Sequence, residues 1–134
     1  MATRIWAGVI SMEAIFRGQS GQLHRFIALR PDAVFPALAG VYAFARPAGD
    51  GRSWLPVFLS RTADLQRRLA GHERWQDAQM LGATHVLVHM PAARDAREAV
   101  EADLLGALRP VLNGPFDACA AVHALGPRLA RAAA

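Results

Sequence analysis

Apolar and polar positions along the chain predict six elements in its middle and C-terminal parts. Val41 to Ala45 is an apolar run closed by the loop Pro47-Ala48-Gly49-Asp50-Gly51, which predicts a strand. Trp54 to Leu59 predicts a second strand, joined to the first by a loop too long for a tight turn. Thr62 is a suitable N-cap, and Asp64 stands where the helix dipole favours negative charge. Leu65 and Leu69 lie four apart and predict a helix running to about Trp75, with Gln76 to Leu81 as a second short helix broken by Gly82. Thr84 to Met90 predicts a third strand, with Val86 and Val88 on one face and His85, Leu87 and His89 on the other; Pro91 stops it. Asp95 to Leu108 predicts the longest helix, with Val100, Leu104, Leu105 and Leu108 as its apolar side and Pro110 as its end.

The flanks are less regular. Gly18 to Gly21 reads as a turn, and Leu23 to Leu29 fits a strand or a helix. Phe116 to Arg131 reads as a further helix, broken near Gly126-Pro127. The order strand, strand, helix, strand, helix, with a hairpin connection, predicts an α+β fold: a small, three-stranded, mainly antiparallel sheet flanked by helices. Residues 34–114 form the expected domain, 1–33 an N-terminal extension packed on it, and 115–134 a C-terminal helix and tail.

A length of 134 residues suits one domain with a modest core. No apolar run approaches the ~20 residues needed to span a membrane. The apolar stretch Ile5 to Phe16 is interrupted by Glu13 and reads as folded structure. The single cysteine cannot form an internal disulfide, so a reducing, cytoplasmic setting is expected. All fifteen basic residues are arginine, and they are unevenly placed. Residues 1–75 hold ten arginines against five acids (+5), and residues 76–134 hold five against six (−1). The excess gathers around Arg61, Arg67, Arg68 and Arg74, where it would attract a phosphate backbone; the plainer reading is solubility.

The only tyrosine and the only asparagine belong to one pattern. Gly40-Val41-Tyr42 ends one strand, and Phe58-Leu59-Ser60 follows sixteen residues after Tyr42. Arg68 stands ten residues beyond Phe58, His72 four beyond Arg68, and Asn113 twelve beyond Glu101. Arg61, Leu65 and Pro110 also stand at matching positions. Over residues 34–114 this pattern resembles the GIY-YIG endonucleases, with the second tripeptide altered: Phe58 replaces its tyrosine and Ser60 its glycine.

The resemblance implies metal-dependent hydrolysis of phosphodiester bonds, weak in this chain, or else a degenerate module that binds nucleic acid or a protein partner. The implied catalytic residues are Tyr42, Arg68, His72, Glu101 and Asn113, and Tyr42, Arg61, Arg68, His72 and Glu101 are expected to converge on one concave surface. Glu101 would hold one Mg2+ or Mn2+ ion, since magnesium needs only one or two carboxylates beside water and phosphate. Arg68 would bind phosphate as a fork, and Tyr42 or His72 would orient or deprotonate the attacking water. Arg61, Arg67 and Arg74 would contact the nucleic acid, expected to be duplex or branched DNA read with low sequence specificity. The loss of the Phe58 hydroxyl weakens the chemistry, and a Cβ at Ser60 intrudes where glycine allows a tight turn.

Each residue also has an ordinary structural explanation. Tyr42 can be a strand tyrosine, Arg68 and His72 a solvated helix face, Glu101 a partner of Arg97, and Asn113 a turn residue before Gly114. Two other constellations carry less. His85 and His89 lie ~13 Å apart along one strand face, too far to share an ion. Cys119 and His123 are four apart with no third group beside them. Trp75 is expected to cap the core.

Overall fold

The computed structural model describes residues 5–6, 9–10, 12–50, 53–91 and 94–114, with side chains from residue 12 onward except at Arg94 and Asp95. Strands β1 (Ile5–Trp6) and β2 (Val9–Ile10) pair antiparallel as a two-stranded sheet. Then follow β3 (Met12–Arg17), β4 (Leu23–Leu29), β5 (Gly40–Pro47), β6 (Trp54–Thr62), α1 (Leu65–Leu69), α2 (Trp75–Met80), β7 (His85–His89) and α3 (Arg94–Leu108). A 3₁₀ turn at Val111–Asn113 closes the described chain. The fold is α+β, with one five-stranded antiparallel sheet in the order β3-β4-β7-β5-β6.

The three expected strands are the half β7-β5-β6. The sheet is wider than the three strands expected, because Leu23–Leu29 is a strand and brings β3 with it. Its residues Ile27, Ala28 and Leu29 pair with Val88, Leu87 and Val86. A short apolar run does not separate strand from helix by its own pattern. What decides it is the second edge of β7, whose amides and carbonyls need partners.

Period-two alternation gives each face its own core. Tyr42, Phe44, Phe58, Val86 and Val88 project to the face covered by α1, α2 and the segment 33–35, with Leu65, Ala78 and Leu81 packed on them. Val41, Ala43, Ala45, Leu59 and Leu87 project to the other face, under Val100 and Leu104 of α3. β5 is therefore buried on both sides from Gly40 to Ala45. At the N-terminal hairpin, Asp103 of α3 accepts bonds from the Ser20 amide (2.7 Å) and hydroxyl (2.8 Å) and lies 2.8 Å from His24 Nε2. These contacts hold its carboxyl below the ordinary carboxylate range, the His24 contact first. No helix among the described residues is long and apolar enough to cross a membrane. The expected helix Phe116–Arg131 lies outside the described residues.

Two helix boundaries differ from expectation. Asp64, not Thr62, is the N-cap of α1; its carboxylate accepts the Arg67 amide at 3.2 Å, while the Thr62 hydroxyl accepts the Asp64 amide at 3.1 Å. α1 stops at Leu69 rather than reaching Trp75, because Gly71 takes φ 117°, a left-handed turn that ends a helix. α3 ends at Leu108, and Arg109 occupies the left-handed position after it (φ 44°), where glycine is preferred. Arg109→Gly is therefore expected to stabilise the fold by roughly 0.5–1 kcal/mol, read as a higher urea midpoint at unchanged slope.

Candidate functional site

The registered pairing of β5 with β6 sets Tyr42 opposite Ser60, and β5 with β7 sets it opposite Val88. Tyr42 is fully buried, so its hydroxyl must find a partner inside the protein. That partner is His72 Nε2, at 2.6 Å. Because α1 has already ended, His72 reaches inward from the turn after Gly71 rather than from the helix face shared with Arg68, as the expected helix required. Its ring sits edge-on to Tyr42, Phe44 and Phe58, with centroids 5.5, 4.8 and 5.2 Å away.

The protonation state of this pair follows from its partners. The Arg74 amide donates to His72 Nδ1 at 3.0 Å. An amide can only donate, so Nδ1 is the bare nitrogen and Nε2 carries the hydrogen given to the Tyr42 oxygen. Burial, followed by the positive charge of Arg68, lowers the His72 pKa to about 4, which keeps the ring neutral at physiological pH. Burial also raises the Tyr42 pKa above its ordinary 10.0, with the nearby Arg68 guanidinium and Ser60 hydroxyl opposing it. Arg68 is itself clamped by Glu73 through two bonds of 2.7 and 2.8 Å. The clamp raises the Arg68 pKa and holds the Glu73 carboxyl down at about 2.

A second group lies on the other face. Arg61 donates from Nη1 to Glu98 at 2.9 Å and from Nε to Glu101 at 3.1 Å. The hydrogen bond to Glu101 is the main reason its pKa is raised. Arg97 does not pair with Glu101; it donates to the Thr62 carbonyl at 3.0 Å. A cleft of about 550 Å³ is lined by Ser60, Arg61, Thr62, Ala63, Arg97 and Glu101. A second, of about 400 Å³, is lined by Thr62, Ala63, Asp64, Arg67, Arg68 and Gly71.

The expected residues are thus divided. Tyr42, His72 and Arg68 gather on the α1 side of the sheet, while Arg61 and Glu101 gather on the α3 side. The two clefts meet only where they share Thr62 and Ala63 at the end of edge strand β6. Asn113 joins neither group. Its side-chain amide accepts from the Leu59 amide (2.8 Å) and donates to the Leu59 carbonyl (2.6 Å), standing in for a sixth strand along the β6 edge. Phe58 is packed in the core, its ring stacked on Phe44 at 5.6 Å.

Three arginines of the basic patch are paired internally, Arg61 with Glu98 and Glu101, Arg68 with Glu73, and Arg74 with Asp77 at 3.4 Å, while Arg67 lines the second cleft. Glu73 and Glu98 were not singled out in the sequence, because a carboxylate in a turn and one on an exposed helix face carry no signal by themselves. Trp75 packs edge-on to Phe44 at 5.0 Å, in the core-capping role expected. His85 bonds the Thr84 hydroxyl and His89 donates to the Arg25 carbonyl, each with its own partner. Among the described residues no three His, Cys, Asp or Glu side chains are grouped to hold a metal ion. Cys119 and His123 lie outside the described residues. Comparison with protein-family models, curated proteins and solved structures finds no match to this chain.

The neutral His72 makes stability depend on pH. Its folded pKa of about 4 lies below the ordinary 6.5, so the unfolded chain takes the proton first. The contribution is full above about pH 6.5 and declines as pH falls towards 4, by roughly 3 kcal/mol in all. Urea midpoints between pH 7.5 and 4.5 should fall accordingly, and His72→Phe should flatten that decline. An unchanged slope in the variant would assign the pH dependence to other groups.

Proposed function

We propose that the protein is a GIY-YIG-like phosphodiesterase that cuts DNA slowly, with duplex or branched DNA bound along the two adjoining clefts at the end of β6. The observation that carries this reading is the Tyr42 hydroxyl, held by His72 Nε2 beside the Arg68 guanidinium. Each group has a part in the chemistry. His72 gives its hydrogen to the Tyr42 oxygen, which would support the phenolate that takes the proton of the attacking water. Arg68, released from Glu73, would fork onto the phosphoryl oxygens, where negative charge develops.

The same geometry would make turnover slow. His72 has its Nδ1 lone pair engaged and its Nε2 protonated, so it cannot take the proton of water. That task falls to Tyr42, whose raised pKa leaves little phenolate at neutral pH. The hydroxyl that would assist is absent at Phe58, a loss worth ~10²–10⁴-fold for a positioned proton acceptor.

The residues around Glu101 suit a hard divalent cation. Carboxylate oxygens from Glu101 and Glu98 are directed at one positive group, the Arg61 guanidinium. Mg2+ or Mn2+ held by Glu101 would supply positive charge to a phosphate in the α3-side cleft, and the separation of that cleft from Tyr42 and Arg68 opposes a single catalytic centre. A second reading, a binding module without catalysis, is favoured by the complete burial of Tyr42 and by the engagement of Glu101 with Arg61.

Nicking of supercoiled plasmid in Mg2+ or Mn2+ separates the two. Slow nicking is expected from the wild type, rising with pH on the alkaline side as Tyr42 ionises. Tyr42→Phe should lower it ~10²-fold or more, and Glu101→Gln should abolish it. Absorbance titration of the single tyrosine reads the same ionisation directly. Salt-sensitive DNA binding without any nicking would establish the binding module instead.

A further inference from the structure

The free edge of the sheet at β3 carries an inference that stands apart from the proposed function. Among the described residues β3 pairs only with β4, while β1 and β2 form a sheet of their own. The opposite edge, at β6, is covered in part by the Asn113 amide. β3 holds unbroken register with β4 from Met12 to Arg17, without the proline or bulge that often blunts an edge. Ala14 and Phe16 are buried in the core beneath α3. Glu13, Ile15 and Arg17 lie on the other side of the strand in solvent, Ile15 being 53% exposed. A cleft of about 440 Å³ borders the strand, lined by residues 13–16 together with Ser53 and Trp54. The hairpin turn fixes which backbone groups face outward. The Gly18 amide donates to the Gln22 carbonyl at 2.8 Å, so Gly18 faces β4. Residues of an antiparallel strand alternate in the side to which their amide and carbonyl point. Met12, Ala14 and Phe16 therefore bond to β4, and the amides and carbonyls of Glu13, Ile15 and Arg17 point away from it.

We infer that β3 is a dimerisation edge: two copies of the chain pair β3 to β3, antiparallel about a two-fold axis at Ile15, and join their sheets into one. The sequence of the strand is self-complementary in that register. Ile15 lies opposite Ile15 of the second copy, Glu13 opposite its Arg17, and Arg17 opposite its Glu13. Each of these is a pair whose outward amide and carbonyl both gain partners. The side chains match as well, with apolar on apolar at the axis and opposite charges on either side of it, the combinations that stabilise cross-strand neighbours. Met12 lies opposite Gly18, where no side chain obstructs it. A parallel neighbour in register would set glutamate beside glutamate and arginine beside arginine, and a slip of one residue would set outward amides against residues turned inward. The two charges therefore select one register as well as keeping the edge soluble. Glu13 also lies 3.2 Å from Arg25 of its own chain; that pair is exposed and accommodates a second arginine beside it. One patch presented by both copies is what a two-fold interface requires.

The test is the mass of the full chain in solution, followed by sedimentation equilibrium from micromolar to near-millimolar protein. Wild type should approach twice the mass of one chain as concentration rises. Glu13→Arg and Arg17→Glu each set like charges opposite one another at two places, and each should weaken the dimer about tenfold or more. Combining the two substitutions restores opposite charges and should recover wild-type association, a rescue that a dimer built on another surface does not show. Ile15→Pro removes an amide that faces away from β4, so circular dichroism should be unchanged while the dimer is lost. A measurement on wild type alone covers the case in which a variant fails to fold. Solvent exchange of the Glu13, Ile15 and Arg17 amides should slow as protein concentration rises, while the Ala14 and Phe16 amides stay slow throughout. A chain that remains monomeric over this range overturns the inference. So does a dimer indifferent to the charge substitutions, or exchange at Ile15 that is independent of concentration.

Discussion

A tyrosine in a strand buried on both faces cannot leave its hydroxyl unpaired, and much of this molecule follows from that constraint. β5 lies between β6 and β7 in the sheet, with α3 over one face and α1 and α2 over the other. An unsatisfied buried hydroxyl costs roughly 1–3 kcal/mol. His72 meets the need, and for it to do so the chain must leave α1 early. Gly71 supplies the left-handed turn, and the Arg74 amide then fixes which ring nitrogen bears the hydrogen. The aromatic rings of Phe44 and Phe58 complete the enclosure, which keeps the imidazole neutral. A hydrogen-bonded pair thus sits inside an aromatic core, with Arg68 beside the tyrosine hydroxyl.

Charge pairing is the second organising feature. The arginines between residues 61 and 74 look like a free basic patch when counted along the chain. In the fold Arg61, Arg68 and Arg74 meet carboxylates from three places: Glu73 in the turn, Asp77 on α2, and Glu98 and Glu101 on α3. These pairs are partly or largely exposed, so each adds little to stability. Their consequence is for binding. A phosphate that approaches either cleft must compete with a carboxylate already in place. Under the proposed function this makes substrate binding an exchange of partners rather than a simple attraction, and it raises the salt and metal sensitivity of the encounter.

Several elements were legible in the sequence by itself. Strong punctuation by Gly and Pro, together with runs of one period, identified the strands near 41–45, 54–59 and 84–90, the long helix ending before Pro110, and the short helix before Gly82. These features are local: they depend on what each residue's backbone allows and on which side chains share a face. The spacing of Tyr42, Arg68 and His72 along the chain also marks them as a candidate group. Only the tertiary structure decided how they meet. Whether Leu23–Leu29 became a strand depended on the second edge of β7, sixty residues away in the chain. The separation of Glu101 from Arg68 depended on which face each helix covers, and spacing along a chain does not encode the side of a sheet. The pairing of Arg61 with Glu98 and Glu101 depended on β6 and α3 being brought together, since an exposed charge signals nothing until its neighbour is known.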